Sequence, residues 1–275
     1  MEDNTHTPPP TSEAPVYAER STAAQLWYDT RLCIGFLTRI PVFTHEYAGQ
    51  TSLAAASWAF PLGGLLIGLV GALVLWIADS IGLTSELSAL LALASMVIIT
   101  GALHEDGLAD TADGFGLSGD TERRLAAMRD SSIGVYGMVA LIIVFGARWM
   151  SLADLAAPSI GYAAETLMAG AAISRGVLPY VMHAVPNART DGLSVAAGRP
   201  EAKPALIALA IAAVVAILAF GFGSGIVVMA VAGLVAYAVT ATARRLIRGQ
   251  TGDVLGAIQQ LVDAAVLITA AGLIS

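Results

Sequence analysis

Residues 86–114 read ELSALLALASMVIITGALHEDGLADTADG. Up to residue 103 the only charge in this stretch is Glu86. A bilayer core about 30 Å thick takes roughly 20 apolar residues as a helix, and 86–103 is such a run. It ends abruptly at His104-Glu105-Asp106, with Asp110 and Asp113 close behind. The sequence therefore describes an apolar helix that delivers an acidic cluster to the edge of a membrane.

The rest of the chain fits that reading. Of 275 residues, 56% are hydrophobic and 13% charged, whereas a soluble domain has about 45–50% apolar and about 25% charged residues. Apolar runs recur near 54–78, 86–103, 133–153, 160–183, 205–222, 224–243 and 254–274. They predict an all-α, polytopic integral membrane bundle of about seven transmembrane helices. Residues 24–42 mix Asp29, Arg31 and Arg39 with apolar residues and read as an interfacial or re-entrant segment. Residues 1–23 hold Pro8, Pro9, Pro10 and Pro15 among polar residues and no apolar run, so they read as a disordered tail. Residues 24–275 form a single membrane-embedded domain. The single cysteine, Cys33, excludes an intrachain disulfide and reads as a buried apolar residue. A net charge of −7 gives no basis for nucleic-acid binding.

The cations test the topology. Outside the runs, Lys and Arg lie in the N-terminal region and in 104–132, 184–204 and 244–253. Residues 79–85, 154–159 and 223 have none, and neither does the C-terminal end. Seven spans put these two sets on opposite sides, with the basic set cytoplasmic. The acidic cluster then faces the cytoplasm and the C-terminus the outer side. Two arginines fall inside runs. Arg148 either snorkels towards an interface or faces a polar cavity or partner inside. Arg175, in Ser174-Arg175-Gly176 before Pro179, is expected to serve function. Gly64 and Gly68 form a GxxxG that allows close helix packing within the chain.

If the helix continues past residue 103, Asp106, Asp110 and Asp113 lie on one face at i, i+4 and i+7. Three carboxylates on one face repel each other, and a hard divalent cation with oxygen ligands relieves the conflict. His104 is a candidate base or ligand. Arg123, Arg124 and Arg129 follow closely, and guanidinium groups beside a metal–carboxylate site suit a phosphorylated substrate. Gly249-Gln250-Thr251-Gly252-Asp253 opens the last run, where helix N-terminal amides can hold an anion.

Five pieces together resemble the cobalamin 5′-phosphate synthase (adenosylcobinamide-GDP ribazoletransferase) family. They are FLTRIPV at 36–42, GALHEDGLADTADG at 101–114, MRDS at 128–131 with Gly134 and Gly137, AISR at 172–175, and GQTGDVLGA at 249–257. The resemblance runs in order over 36–263, and HEDGLADTADG is its most specific part. Asp263 departs from it, since the family pattern expects Glu there, and Asp263 is left out of the expected site.

The resemblance implies a magnesium-dependent transferase in the last steps of cobalamin biosynthesis. It would sit in the bacterial cytoplasmic (inner) membrane with its active site facing the cytoplasm, and room is left for a homo-oligomer. Its substrates would be adenosylcobinamide-GDP and α-ribazole or α-ribazole 5′-phosphate, its products adenosylcobalamin or its 5′-phosphate and GMP. The ribazole 3′-hydroxyl would attack the phosphorus bonded to cobinamide. Glu105, Asp106, Asp110 and Asp113 would hold magnesium; Asp106, Asp110, Asp113 and His104 are the expected catalytic residues. Arg39, Arg129, Ser174, Arg175, Thr251 and Asp253 would bind substrate. Two alternatives stand beside this reading: a membrane CDP-alcohol-type phosphotransferase, although the full DGxxAR pattern is absent, and a cation-coupled transporter, whose carboxylates belong near the membrane midplane.

Overall fold

The computed structural model describes residues 22–42 and 52–274. The expected tail lies outside the described residues except for Thr22 and Ala23, which open the first helix. The described chain is helical throughout, and its single β-bridge joins Asn187 to Gln250. The helices are α1 (Thr22–Leu37), α2 (Leu53–Ala56), α3 (Phe60–Ser80), α4 (Ser85–Thr100), α5 (Leu103–Gly116) and α6 (Thr121–Ala127). They continue as α7 (Val135–Ala156), α8 (Ile160–Gly176), α9 (Leu178–Ala184), α10 (Leu193–Ala197), α11 (Ala202–Ile247) and α12 (Gly252–Ile274).

Four helical stretches among the described residues are long and apolar enough to cross a membrane: Leu53–Ser80, Val135–Ala156, Ala202–Ile247 and Gly252–Ile274. The bent pair α4–α5 would make a fifth. The count thus differs from the expected seven, for two physical reasons. First, α8 has 17 residues and passes through Val177 into the short α9, with Pro179 in its first turn. Second, the expected runs 205–222 and 224–243 are counted as one stretch because both lie in the 46-residue α11, although α11 is broken between them. Gly221 breaks α11 internally, at φ 77° and ψ 168°, values open to glycine. The chain folds back there: a Cβ on Gly225 would lie 3.0 Å from the Cα of Ile217. In an unbroken helix those residues would be roughly 12 Å apart along the axis. Residues 202–220 and 222–247 are therefore two antiparallel arms.

Gly64 and Gly68 act as expected, within the chain. A Cβ on Gly68 would lie 2.6 Å from the Cα of Met168, so α3 and α8 pack backbone to backbone. The outer faces of α4, α7 and α11 expose Ile98, Ile142, Ile143, Leu218 and Leu234. A continuous apolar exterior of this kind suits lipid. At the centre stands α12, packed against α5, α7, α8 and α11. The α1 helix, with 16 residues, spans about 24 Å, short of a bilayer core. It packs on α2 and α3, and its Asp29 accepts a hydrogen bond from Trp58 Nε1 at 2.9 Å.

The acidic motif does not continue the helix before it. Gly101 and Ala102 both take left-handed conformations, φ 65° and 60°, and α5 leaves α4 at 89°. Strain at the non-glycine Ala102 is offset by two hydrogen bonds that close α4, from the Gly101 and Ala102 amides to the carbonyls of Ile98 and Val97. Gly101 is also where Arg39 crosses: a Cβ there would lie 2.9 Å from Arg39 Cδ.

Candidate active site at the α4–α5 bend

After the bend α5 lies outside the apolar runs and against the N-terminal turn of α12. Gly107 and Gly256 permit this, because a Cβ on Gly256 would lie 3.2 Å from Gly107 Cα and 3.1 Å from the His104 carbonyl oxygen. Backbone contact of this closeness brings Asp253, in the first turn of α12, beside Asp106 and Asp110. Asp106 is exposed and Asp110 half-buried. Burial, with the Asp106 and Asp253 carboxylates, pushes Asp110 up to about 7, with Arg189 opposing. Arg189 donates to Asp253 Oδ2 at 3.0 Å. Thr251 caps α12 by accepting the Val254 amide at 3.2 Å and also donates to Asp253 Oδ2.

Asp113 stays on α5 and close enough to raise Asp110, but its carboxylate is engaged elsewhere. Its two oxygens accept the Gly134 and Gly137 amides at 2.8 and 2.9 Å. It anchors the N-terminus of α7, which is what the glycines of the 128–137 motif serve. Among the described residues no three His, Cys, Asp or Glu groups converge on a point where they could hold a metal ion. The arrangement fits instead a cation taken by one or two carboxylates together with substrate phosphates, which is how magnesium is commonly held.

Glu105 points the other way, into the bundle. Its Oε1 accepts Gln260 Nε2 at 2.8 Å, while Oε2 is buried without a partner. Gln260 accepts Arg148 Nη1 at 2.7 Å. Arg148 is 2% exposed and lies 2.7 Å from Asp263, which is 0% exposed. Of the two readings of Arg148, the structure takes the internal partner over snorkelling: the guanidinium is held inside by a carboxylate on α12. Asp263, excluded as a departure from the family pattern, is that carboxylate. The Asp263 oxygens pair with Arg148 by distance while failing hydrogen-bond geometry; the distance carries the interaction, because a buried charge stays only beside its opposite. From Gln260 the network runs to Gln259 at 2.9 Å and on to Ser174 at 3.0 Å. Arg175 is buried beside it and donates to the Ala171 carbonyl at 3.1 Å, its Nε unpartnered.

His104 is 4% exposed, with Nδ1 unpartnered. Burial, with Arg175 and Arg148, holds its imidazole well below the ordinary range. A neutral ring of this kind is fitted for hydrogen bonding rather than for keeping a proton. Arg129 is exposed and pairs with Asp191 at 2.6 Å, at the rim of a cavity of about 500 Å³ lined by Glu105, Asp106, Asp110, Ser131 and Ser132. Gly249 serves backbone approach, since a Cβ there would lie 2.8 Å from the Ala188 amide. The structure thus gathers Asp106, Asp110, Asp253, Glu105, His104 and Arg129 around α5. It places Ser174 and Arg175 deeper, and Arg39 over the bend. Sequence reasoning missed Arg189, Gln259, Gln260 and Asp263. The signal was present in the polar Gln259-Gln260 and Asp263 inside an otherwise apolar run.

The family model described as cobalamin-5-phosphate synthase matches residues 29–271. The chain is 47% identical to an adenosylcobinamide-GDP ribazoletransferase of Bradyrhizobium diazoefficiens, over 88% of this chain and 93% of that one. It is 45% identical to the protein of that name from Mesorhizobium japonicum, over 90% and 93%. With the one from Sinorhizobium medicae the identity is 44%, over 88% and 95%. No solved structure matches the chain.

Proposed function

The chain belongs to the cobalamin-5-phosphate synthase family, and from that premise we propose that it is a membrane-bound adenosylcobinamide-GDP ribazoletransferase working at the cytoplasmic face of the inner membrane. The observation that carries the reading is that Asp106, Asp110 and Arg129 line one cavity of about 500 Å³. Carboxylates and a guanidinium across one cavity are the donor set for a diphosphate and its cation.

Asp106 and Asp110 would hold magnesium together with diphosphate oxygens. The cation supplies neutralisation of the charge that shifts as the phosphoryl group moves. The raised Asp110 carboxyl supports this, since like-charged neighbours hold a proton that a divalent cation can displace. The remaining work is positioning. Arg129 draws the diphosphate to the rim. The ribazole 3′-hydroxyl attacks the phosphorus bonded to cobinamide; a P–O bond forms, the bond to the bridging oxygen breaks, and GMP leaves with that oxygen. The hydroxyl proton passes to an α5 carboxylate oxygen not held by the cation. Whether the acceptor is α-ribazole or its 5′-phosphate, the same hydroxyl reacts.

The transporter alternative finds a mid-span carboxylate in Asp263, but the relatives bear transferase names. The experiment is GMP release by the purified protein in lipid, with adenosylcobinamide-GDP, α-ribazole 5′-phosphate and a magnesium titration. Metal-dependent GMP release is expected. Release from a CDP-alcohol instead would favour the other phosphotransferase, and no release at all would overturn the enzyme reading.

A further inference from the structure

Asp106 lines two cavities of opposite character. One is the polar cavity of about 500 Å³ described above. The other is a narrow cleft of about 80 Å³ between α1, α3, α9, α10 and the start of α12. Asp106 is the residue common to both. The cleft wall is largely apolar, with Phe36, Phe60, Leu178, Met182 and Leu193, and Ser194 and Asp253 add polar groups on the side of Asp106. Phe36 and Phe60 are stacked at a centroid distance of 6.0 Å and an interplanar angle of 15°. In this wall His104 presents a buried ring whose Nδ1 has no partner. A buried polar atom left without a partner is costly, so it marks a place where something polar belongs.

We propose that the two substrates take opposite sides of Asp106: the flat aromatic base of the ribazole enters the apolar cleft, and the diphosphate ester takes the polar cavity. The inference rests on the transferase reading above and adds to it a seat for each substrate. Size separates them first. A cleft of about 80 Å³ is smaller than the roughly 150 Å³ that takes a benzene ring, so its walls must part to seat a flat ring system, and it excludes a diphosphate carrying two bulky groups. Chemistry separates them second. A heteroaromatic ring extends the Phe36–Phe60 stack, and its polar atoms can meet His104. The diphosphate needs Asp106, Asp110 and Arg129, which line the other cavity. With one substrate on each side, the acceptor hydroxyl and the phosphorus meet at Asp106, as an in-line displacement requires.

Cysteine labelling tests this directly. Cys33 is the single native cysteine and is fully buried, so a new thiol is read alone. Leu193→Cys reports the cleft and Ile133→Cys the polar cavity; both native side chains are more than half exposed, at 55% and 51%. In the full chain in lipid, α-ribazole at ten times its Kd should slow labelling at position 193 by about tenfold, in proportion to occupancy, and leave position 133 unchanged. GMP with magnesium should do the reverse. Leu193→Trp should raise the KM for α-ribazole while leaving that for adenosylcobinamide-GDP unchanged. Protection in the opposite pattern, or of neither thiol by saturating ligand in a protein that turns over, would overturn the two-seat arrangement. A protein that releases no GMP from any substrate would sink the transferase reading instead.

Discussion

At the residue scale the decisive group is Asp110. Burial and the Asp106, Asp253 and Asp113 carboxylates push it up to about 7, so in the metal-free fold it is part protonated near neutrality. The sign follows from linkage: a carboxyl raised above its unfolded value weakens the fold as pH climbs from the unfolded value through about 7. A divalent cation must displace that proton, so magnesium affinity should rise with pH up to about 7 and then level off. Magnesium titrations of GMP release at a series of pH values check this; an apparent affinity flat across that window would show that Asp110 is no ligand. Asp110→Asn should lower GMP release at least about a hundredfold, the loss of some 3 kcal/mol of transition-state stabilisation. It should leave metal-free thermal stability equal or higher, because repulsion with Asp106 and Asp253 is removed. Near-normal turnover with unchanged magnesium dependence would refute the assignment. Arg175→Lys keeps the charge and loses the planar fork; turnover is expected to fall while the melting temperature stays near that of the parent.

At the scale of elements a buried ion pair joins α7 to α12 and a glycine contact joins α5 to α12. Arg148 on α7 meets Asp263 on α12 at 2.7 Å, with both side chains buried. Removing one partner of a buried pair strands the other, at a cost of about 3–5 kcal/mol. Arg148→Ala should therefore lower the unfolding temperature in lipid markedly, and Arg148→Leu combined with Asp263→Leu should recover much of the loss. A single variant as stable as the parent would show that the pair is not what holds α7 to α12. At the α5–α12 crossing, Gly107→Ala meets the Asp253 carbonyl oxygen at 2.8 Å. Because the neighbour is backbone, one helix must shift and carry Asp253 away from Asp106. Turnover should drop more than stability, and circular dichroism beside kinetics separates the two.

At the scale of the whole molecule the orientation can be tested. Leu83→Cys should label from the outer side, and Ser118→Cys and Val195→Cys from the cytoplasm, over a silent Cys33. Any other pattern overturns the alternation of basic loops on which the orientation rests. The all-helical architecture with apolar helices long enough to cross a membrane was legible because composition and run length report the solvent directly. The number of crossings was less so. Helix length depends on where backbone angles break: the break at Gly221 falls beside the boundary the apolar runs place at 223, whereas the turn at Gly101-Ala102 bends the chain in a way that hydropathy does not register.

The sequence by itself determined the membrane class, the acidic motif and its carboxylate chemistry, because charge inside an apolar chain is costly and therefore marks its own position. It also raised Arg148 and Arg175 as anomalies, for the same reason. Partners were beyond its reach. Asp113 reads as a third ligand on a helical wheel, yet its oxygens are taken by Gly134 and Gly137, 21 and 24 residues away. Asp263 reads as a substitution to set aside, yet it neutralises Arg148. Asp253 joins Asp106 and Asp110 only because two glycines let α5 and α12 touch. Spacing along a chain specifies which side chains share a face. Which groups face that face is decided by packing between segments far apart in sequence, and only the tertiary structure holds that information.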